Sequence, residues 1–159
     1  MRNYSLACAL ILHSLVPCSS HGQGLEGLNA VHVVIEDVEK AGTDIGLFPE
    51  ALQFQILVGL KRDLPRLKIT PRSLSMVYLS LTVVGDPNTG VSVYVTTQLK
   101  RPAQIVRDDN SEGKFTLATV WNKGYLLSGP GYGMASRVRE VISNQMTEFA
   151  ADYYKQNQP

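Results

Sequence analysis

Cysteine, histidine and tryptophan are scarce in this chain of 159 residues, which contains two, three and one of them, respectively. Both cysteines, Cys8 and Cys18, lie near the start of the chain, in a segment that we expect to be removed. Without that segment the chain has no thiol, which excludes a disulfide and a nucleophilic cysteine. His32 is then the only histidine, too few for a histidine-based zinc centre, and no serine lies in a recognisable nucleophile motif. We therefore predict no metal, no cofactor and no catalytic residues, and hence a protein that is not an enzyme.

An excess of either charge is also missing. Lysine and arginine together number 15, and aspartate and glutamate number 14. The basic residues are scattered, with only the pairs Lys61-Arg62 and Lys100-Arg101 adjacent. Because binding to a phosphate backbone requires concentrated positive charge, we predict that nucleic acid is not a partner.

The chain lacks an apolar run long enough to span a bilayer, which takes about 20 residues. Its main apolar run, Leu6 to Val16, follows Arg2 and precedes the small residues Cys18-Ser19-Ser20 and Gly22. This order is typical of an export signal. We predict that residues 1–22 are a signal peptide and that residues 23–159 form a single α+β domain. The mature protein would be periplasmic or secreted, with no transmembrane segment.

Two alternatives to a cleaved signal remain. The segment Leu15-Val16-Pro17-Cys18 loosely resembles a bacterial lipobox, so a lipid anchor on Cys18 is possible, although Pro17 departs from the motif and we do not favour it. A buried N-terminal helix is the second alternative, and the complete order of signal regions argues against it.

The clearest structural pattern lies between Ser73 and Val106. Apolar residues alternate with polar ones before and after Gly85–Gly90, a dense cluster of turn formers. This period of two predicts an antiparallel hairpin with one buried face. Its predicted outward face carries Tyr78, Ser80, Thr82, Tyr94, Thr96 and Gln98.

The remaining elements complete a fold class. We predict strands at Val31–Ile35, Leu67–Ile69 and Phe115–Trp121, and helices from Pro49 to about Leu64 and from about Met134 to Tyr154. The expected fold is α+β, with a mixed, mostly antiparallel sheet of four or five strands and two helices packed on one face. The predicted core is Val31, Val33, Ile35, Leu52, Ile56, Leu60, Val77, Leu79, Leu81, Val93, Val95, Leu117, Val138, Ile142 and Phe149.

Aromatic residues are the candidate contacts for a partner. The five candidates are Tyr78, Tyr94, Trp121, Tyr125 and Tyr132. Tyrosine is common in interface cores because it buries area and keeps a polar group. Four of them have an ordinary interpretation too. The two hairpin tyrosines can be strand formers, Trp121 a core residue, and Tyr132 part of the connector loop Ser128–Gly133.

The order of elements behind a signal resembles that of uncharacterised exported bacterial envelope proteins. Across residues 28–155 it is similar to that of lipopolysaccharide-assembly lipoproteins and of the amino-terminal domain of TolB. The resemblance is one of architecture and carries no site motif. It implies a role in the bacterial envelope.

We therefore predict a non-catalytic periplasmic or secreted accessory protein that binds another protein or an envelope component. The alternative is a small-molecule or lipid-binding protein with a pocket between sheet and helices. An apolar cavity beside Trp121 would favour the alternative, and an exposed sheet face around Tyr78 and Tyr94 would favour the first function.

Overall fold

The protein folds as an α+β domain, described by a computed structural model over residues 23–105 and 113–157. A short 3-10 turn, Gln23–Leu25, precedes the main elements. In chain order these are β1 (Ala30–Ile35), α1 (Lys40–Asp44), α2 (Pro49–Asp63), β2 (Lys68–Ile69), β3 (Met76–Asp86), β4 (Gly90–Gln104), β5 (Phe115–Gly129) and α3 (Met134–Gln156). The predicted signal peptide lies outside the described residues.

The five strands form one sheet in the order β2-β1-β3-β4-β5. Strand β1 pairs in parallel with β2 and β3, whereas β3, β4 and β5 are antiparallel. The predicted hairpin is β3 and β4, with Val77 opposite Leu99 and Val83 opposite Val93. The mixed, mostly antiparallel sheet predicted from the sequence is therefore confirmed.

Helices α2 and α3 cover one face of the sheet, which we call the covered face. Gly59 of α2 packs against Met146 of α3, where an added Cβ would lie 3.3 Å from the methionine side chain. At the far end of the pair, the Tyr154 hydroxyl donates to the carbonyl of Asp63 at 2.9 Å. The helices therefore run in the same direction. They bury Leu52, Ile56 and Leu60 from α2 and Val138, Ile142, Met146 and Phe149 from α3 against the sheet.

The predicted core is right except at Leu117 and, in part, Ile35, which is only partly buried. Leu117 is 47 % exposed, because the register between β4 and β5 shifts at Leu99/Lys100. Trp121 pairs with Leu99 and Thr119 with Lys100, so Val120 is an extra residue in β5. One extra residue moves every preceding side chain to the opposite face.

Three further features depart from the sequence-based expectation. Strand β5 continues beyond Trp121 to Gly129, and the short helix α1 lies between β1 and α2, where no element was predicted. The start of the described chain is fixed against β4, because the Arg101 guanidinium donates to the carbonyls of Gly24 and Glu26 at 2.7 and 3.0 Å. No helix in residues 23–105 and 113–157 is long and apolar enough to cross a membrane.

Candidate functional site

The face of β3, β4 and β5 opposite the helices is the candidate site, and we call it the open face. The strand registers align its side chains in rows across the sheet. Most of these side chains are uncharged, although Lys100 of β4 also lies on this face, over the Tyr78 ring, and no helix of the described chain packs on it. The open face consists of Tyr78, Ser80, Thr82, Val84, Ser92, Tyr94, Thr96, Gln98, Lys100, Asn122, Gly124, Leu126 and Ser128, of which Thr96 is buried.

Apolar side chains gather at the hairpin-turn end of the open face. Tyr94 lies directly opposite Leu126 on β5, which is 68 % exposed, and Val84 on β3 is 64 % exposed. The Tyr94 ring covers Gly124, where an added Cβ would lie 3.0 Å from the ring carbon Cζ. A glycine in a strand provides room for an aromatic ring to lie flat on the sheet. Gly124 therefore allows the Tyr94 ring to lie against the sheet.

Tyr78 lies at the other end of the open face. The Lys100 ammonium nitrogen lies 3.8 Å from the centroid of its ring, within the range of a cation–π interaction. Burial, reinforced by the nearby Glu36 carboxylate, raises the pKa of the Tyr78 hydroxyl. Tyr78 is therefore neutral at physiological pH and held in place by its neighbours.

The register shift in β5 extends the open face with two more apolar side chains. Leu117 pairs with Pro102, and Phe115 pairs with Gln104. Phe115 is 79 % exposed. The sequence analysis placed Leu117 in the core, and no sequence signal marks the extra residue Val120.

Trp121 lies on the covered face. It is buried, its indole N–H donates to Asp152 Oδ2 at 2.9 Å, and its ring packs edge-to-face on Phe149 with centroids 5.1 Å apart. This is the core position that the sequence also allowed, so Trp121 presents little surface to a partner. The space beside it, where a ligand cavity was considered, is occupied by α3.

Tyr125 lies on the same side of β5 as Trp121, at the edge of the sheet. Its hydroxyl donates to Glu148 Oε1 at 2.8 Å, and the Lys123 ammonium lies 2.9 Å from Glu148 Oε2. The hydrogen bond from Lys123 is the largest cause that lowers the pKa of Glu148, while the bonds to Glu148 raise the pKa of Lys123 and of Tyr125. These contacts attach β5 to α3.

Tyr132 is 86 % exposed in the loop between β5 and α3. That loop packs on the hairpin turn, because an added Cβ on Gly131 would meet Pro87. The five predicted residues thus occupy three places. Tyr78 and Tyr94 share the open face, Trp121 and Tyr125 lie under α3, and Tyr132 lies in the loop.

Helix α2 carries a second exposed apolar stripe that the sequence analysis did not identify. Ala51, Phe54 and Val58 lie on its solvent side, with Phe48 just before the helix. Spacings of three and four residues place such side chains on one face of a helix. The signal was present in the sequence, but the inward stripe at Leu52, Ile56 and Leu60 had already accounted for the amphipathic pattern.

Comparison with known proteins shows no family for this chain, because no family model and no curated protein matches it. The solved structures that are weakly similar include two bacterial proteins. A dodecamer of a PelC variant from Paraburkholderia phytofirmans is 14 % identical, with a TM-score of 0.46 over 77 % of this chain and 88 % of that one. A minor lipoprotein from Acinetobacter baumannii is 12 % identical, with a TM-score of 0.31 over 78 % of this chain and 91 % of that one. At these TM-scores neither similarity determines a function.

Proposed function

We propose that this protein is a non-catalytic accessory protein of the bacterial envelope that binds a protein or another envelope component through its open face. The observation that carries the proposal is a broad strand surface whose side chains are almost all uncharged, with Lys100 at one end, and which carries two tyrosines held by their neighbours. Depletion of charge and enrichment of tyrosine distinguish the cores of protein interfaces from the rest of a protein surface.

The exposed apolar residues strengthen the proposal. A solvent-facing sheet usually carries charged or small polar residues, and its edges are commonly protected by lysine or proline. Val84 and Leu126 are instead largely exposed around Tyr94, and Phe115 and Leu117 continue the apolar surface past the register shift. A partner that covers this surface gains about 25 cal/mol of favourable free energy for each Å² of apolar area that it removes from water.

The structure gives less support to the alternative, a ligand pocket between sheet and helices. Trp121 and Phe149 are in contact there, and the Trp121 indole N–H is already bonded to Asp152. A ligand in that position would have to displace α3 from the sheet.

The test is photo-crosslinking from the open face in the native envelope. A photoreactive residue replaces Thr82 on the open face or, in the control, Ser136 on α3; both positions are exposed. We expect a discrete crosslinked product from position 82 only. In a second experiment, Tyr78→Ser with Tyr94→Ser should abolish that product, whereas Tyr125→Ser with Tyr132→Ser should retain it. Equal products from both positions, or no change with the first pair, would place the binding surface elsewhere.

A further inference from the structure

Half of β1 has a free edge, because its neighbour β2 contains only Lys68 and Ile69. The Thr70 N–H donates to the Val31 carbonyl at 2.9 Å, and the chain then turns away at Pro71. Proline fixes φ and has no N–H, so it ends the pairing at this point. Residues of β1 after His32 therefore have β3 on one side and no strand on the other.

The hydrogen bonds to β3 show which backbone groups face the free edge. The N–H groups of His32 and Glu36 donate to the carbonyls of Ser75 and Leu79 at 2.8 and 2.9 Å. In a parallel ladder alternate residues bond to the same side, so the N–H and carbonyl groups of Val33 and Ile35 point away from β3. Among the described residues, no backbone carbonyl accepts from the N–H of Val33 or Ile35.

A groove of about 290 Å³ runs beside this free edge, between β1 and the first turns of α2. Gln53 of α2 reaches across it, and its amide Nε2 donates to the Val33 carbonyl at 3.3 Å. A strand added at this edge would supply a backbone N–H to the same carbonyl. The Gln53 amide thus occupies one of the positions that a backbone amide of a bound strand would take.

The surroundings of the groove are acidic. Glu50 lines the groove from α2, and Asp37 and Glu39 come shortly after β1, whereas the Glu36 carboxylate lies at Tyr78 on the open face. The nearby Lys40 ammonium is already bonded to Asp44 at 2.7 Å. Within residues 23–105 and 113–157, no three His, Cys, Asp or Glu residues are grouped so as to hold a metal ion. These acidic side chains favour a positively charged ligand.

We propose that the free edge of β1 binds an extended basic peptide by strand addition. The N–H groups of Val33 and Ile35 provide main-chain hydrogen bonds, as does the Val33 carbonyl once the Gln53 amide moves aside. The groove provides room for side chains, and the acidic surroundings select lysine and arginine. A second copy of this chain fits poorly, because pairing two β1 edges would place two acidic surroundings together.

The test uses a blocked synthetic peptide of about six residues, the usual strand length, that alternates lysine and valine. Amide hydrogen exchange by NMR follows the protein residue by residue. We expect saturating peptide to slow exchange at Val33 and Ile35 by about tenfold or more, because both N–H groups gain acceptors. A peptide with alternate backbone nitrogens methylated keeps its charge and should not bind measurably. Equal binding of the methylated peptide, or unchanged exchange at both residues, would overturn the proposal.

Charge variants test the choice of ligand. Glu50→Gln combined with Asp37→Asn should weaken binding of the lysine peptide about 2- to 10-fold at low salt. Glu140→Gln, an exposed acid on α3, should leave it unchanged. A peptide with glutamate in place of lysine should bind more weakly than the lysine peptide. Tighter binding of the glutamate peptide would contradict the choice of a basic ligand. Slow exchange at Val33 that depends only on protein concentration would indicate pairing between two copies of this chain and would also contradict the proposal.

Discussion

The covered and open faces are built from alternate residues of the same strands, so they share a backbone and differ only in side chains. Leu79 is completely buried beneath the helices, while Ser80, the next residue, lies on the open face. On the covered face, apolar burial stabilises the fold. On the open face, the same alternation leaves tyrosines and small hydroxyl residues available for contact. Substitutions on the covered face should therefore change stability, and substitutions on the open face should change binding.

The largest difference between the faces is expected for deletion of an apolar side chain. Leu79→Ala should lower the free energy of unfolding by about 2–5 kcal/mol, because it leaves a cavity in a packed core. Val84→Ala is the matched deletion on the open face of the same strand and should cost less than about 0.5 kcal/mol. Urea unfolding of both variants measures the difference. Similar midpoints for the two variants would mean that the faces are not as different as the structure indicates.

A buried polar pair on the covered face should have the second largest effect. The Thr97 hydroxyl donates to Gln145 Oε1 at 2.6 Å, and Gln145 Nε2 donates to the Lys123 carbonyl at 3.1 Å. Thr97→Val should cost about 1–3 kcal/mol, because it leaves Gln145 Oε1 buried without a donor. The comparison on the open face is Thr82→Val, which removes the hydroxyl of an exposed threonine on β3 and should cost less.

The double variant Thr97→Val with Gln145→Leu completes a thermodynamic cycle. Its cost should be smaller than the sum of the two single costs, since the hydroxyl and the amide are then removed together. Strict additivity in chemical denaturation would show that the two side chains do not act as a pair.

The alternation of residues predicted the two faces of β3 and β4 correctly. Leu79, Leu81, Val93 and Val95 are buried as expected, because period two in a strand leaves little freedom once one face is apolar. The prediction failed N-terminal to Trp121, because the apolar pattern at Leu117 is the same with or without an inserted residue. Bulges depend on pairing with the neighbouring strand, which a single sequence does not reveal.

The candidate site was predictable in part for the same reason. Tyr78 and Tyr94 follow from alternation, but the cover that Tyr94 gives to Gly124 depends on the β4–β5 register. The free edge of β1 was not predicted, although its cause, Pro71 immediately after a short strand, is visible in the sequence. What was missing was the strand order, which places β2 at the edge and β1 beside it.

A glycine substitution should change the open face with little effect on stability. Gly124→Ala places a methyl group against the Tyr94 ring, which can move because the contact is with its outer end. The change in unfolding free energy should be below about 1 kcal/mol, since alanine also restricts the unfolded chain. The ring resonances of Tyr94 should shift in NMR spectra, and the crosslink from position 82 should weaken. An unfolded variant would show that Gly124 supports the fold rather than the surface.

The smallest expected effect concerns the ion pair that joins the edge of the covered face to α3. Lys123 lowers the pKa of Glu148, and a lowered pKa stabilises the fold above the ordinary glutamate pKa of about 4.3. That contribution is lost as the pH falls through the lowered pKa. Because both side chains are more than a third exposed, we expect only about 0.5 kcal/mol at neutral pH. Glu148→Gln should therefore be slightly less stable than the wild type at pH 7 and equally stable near pH 3.

The control Glu140→Gln, on the same helix, should show no such pH-dependent difference. High salt should reduce the effect, since it screens exposed charges. A difference that persists at low pH would mean that Glu148 acts through its hydrogen bond with Tyr125, which the glutamine can preserve only in part.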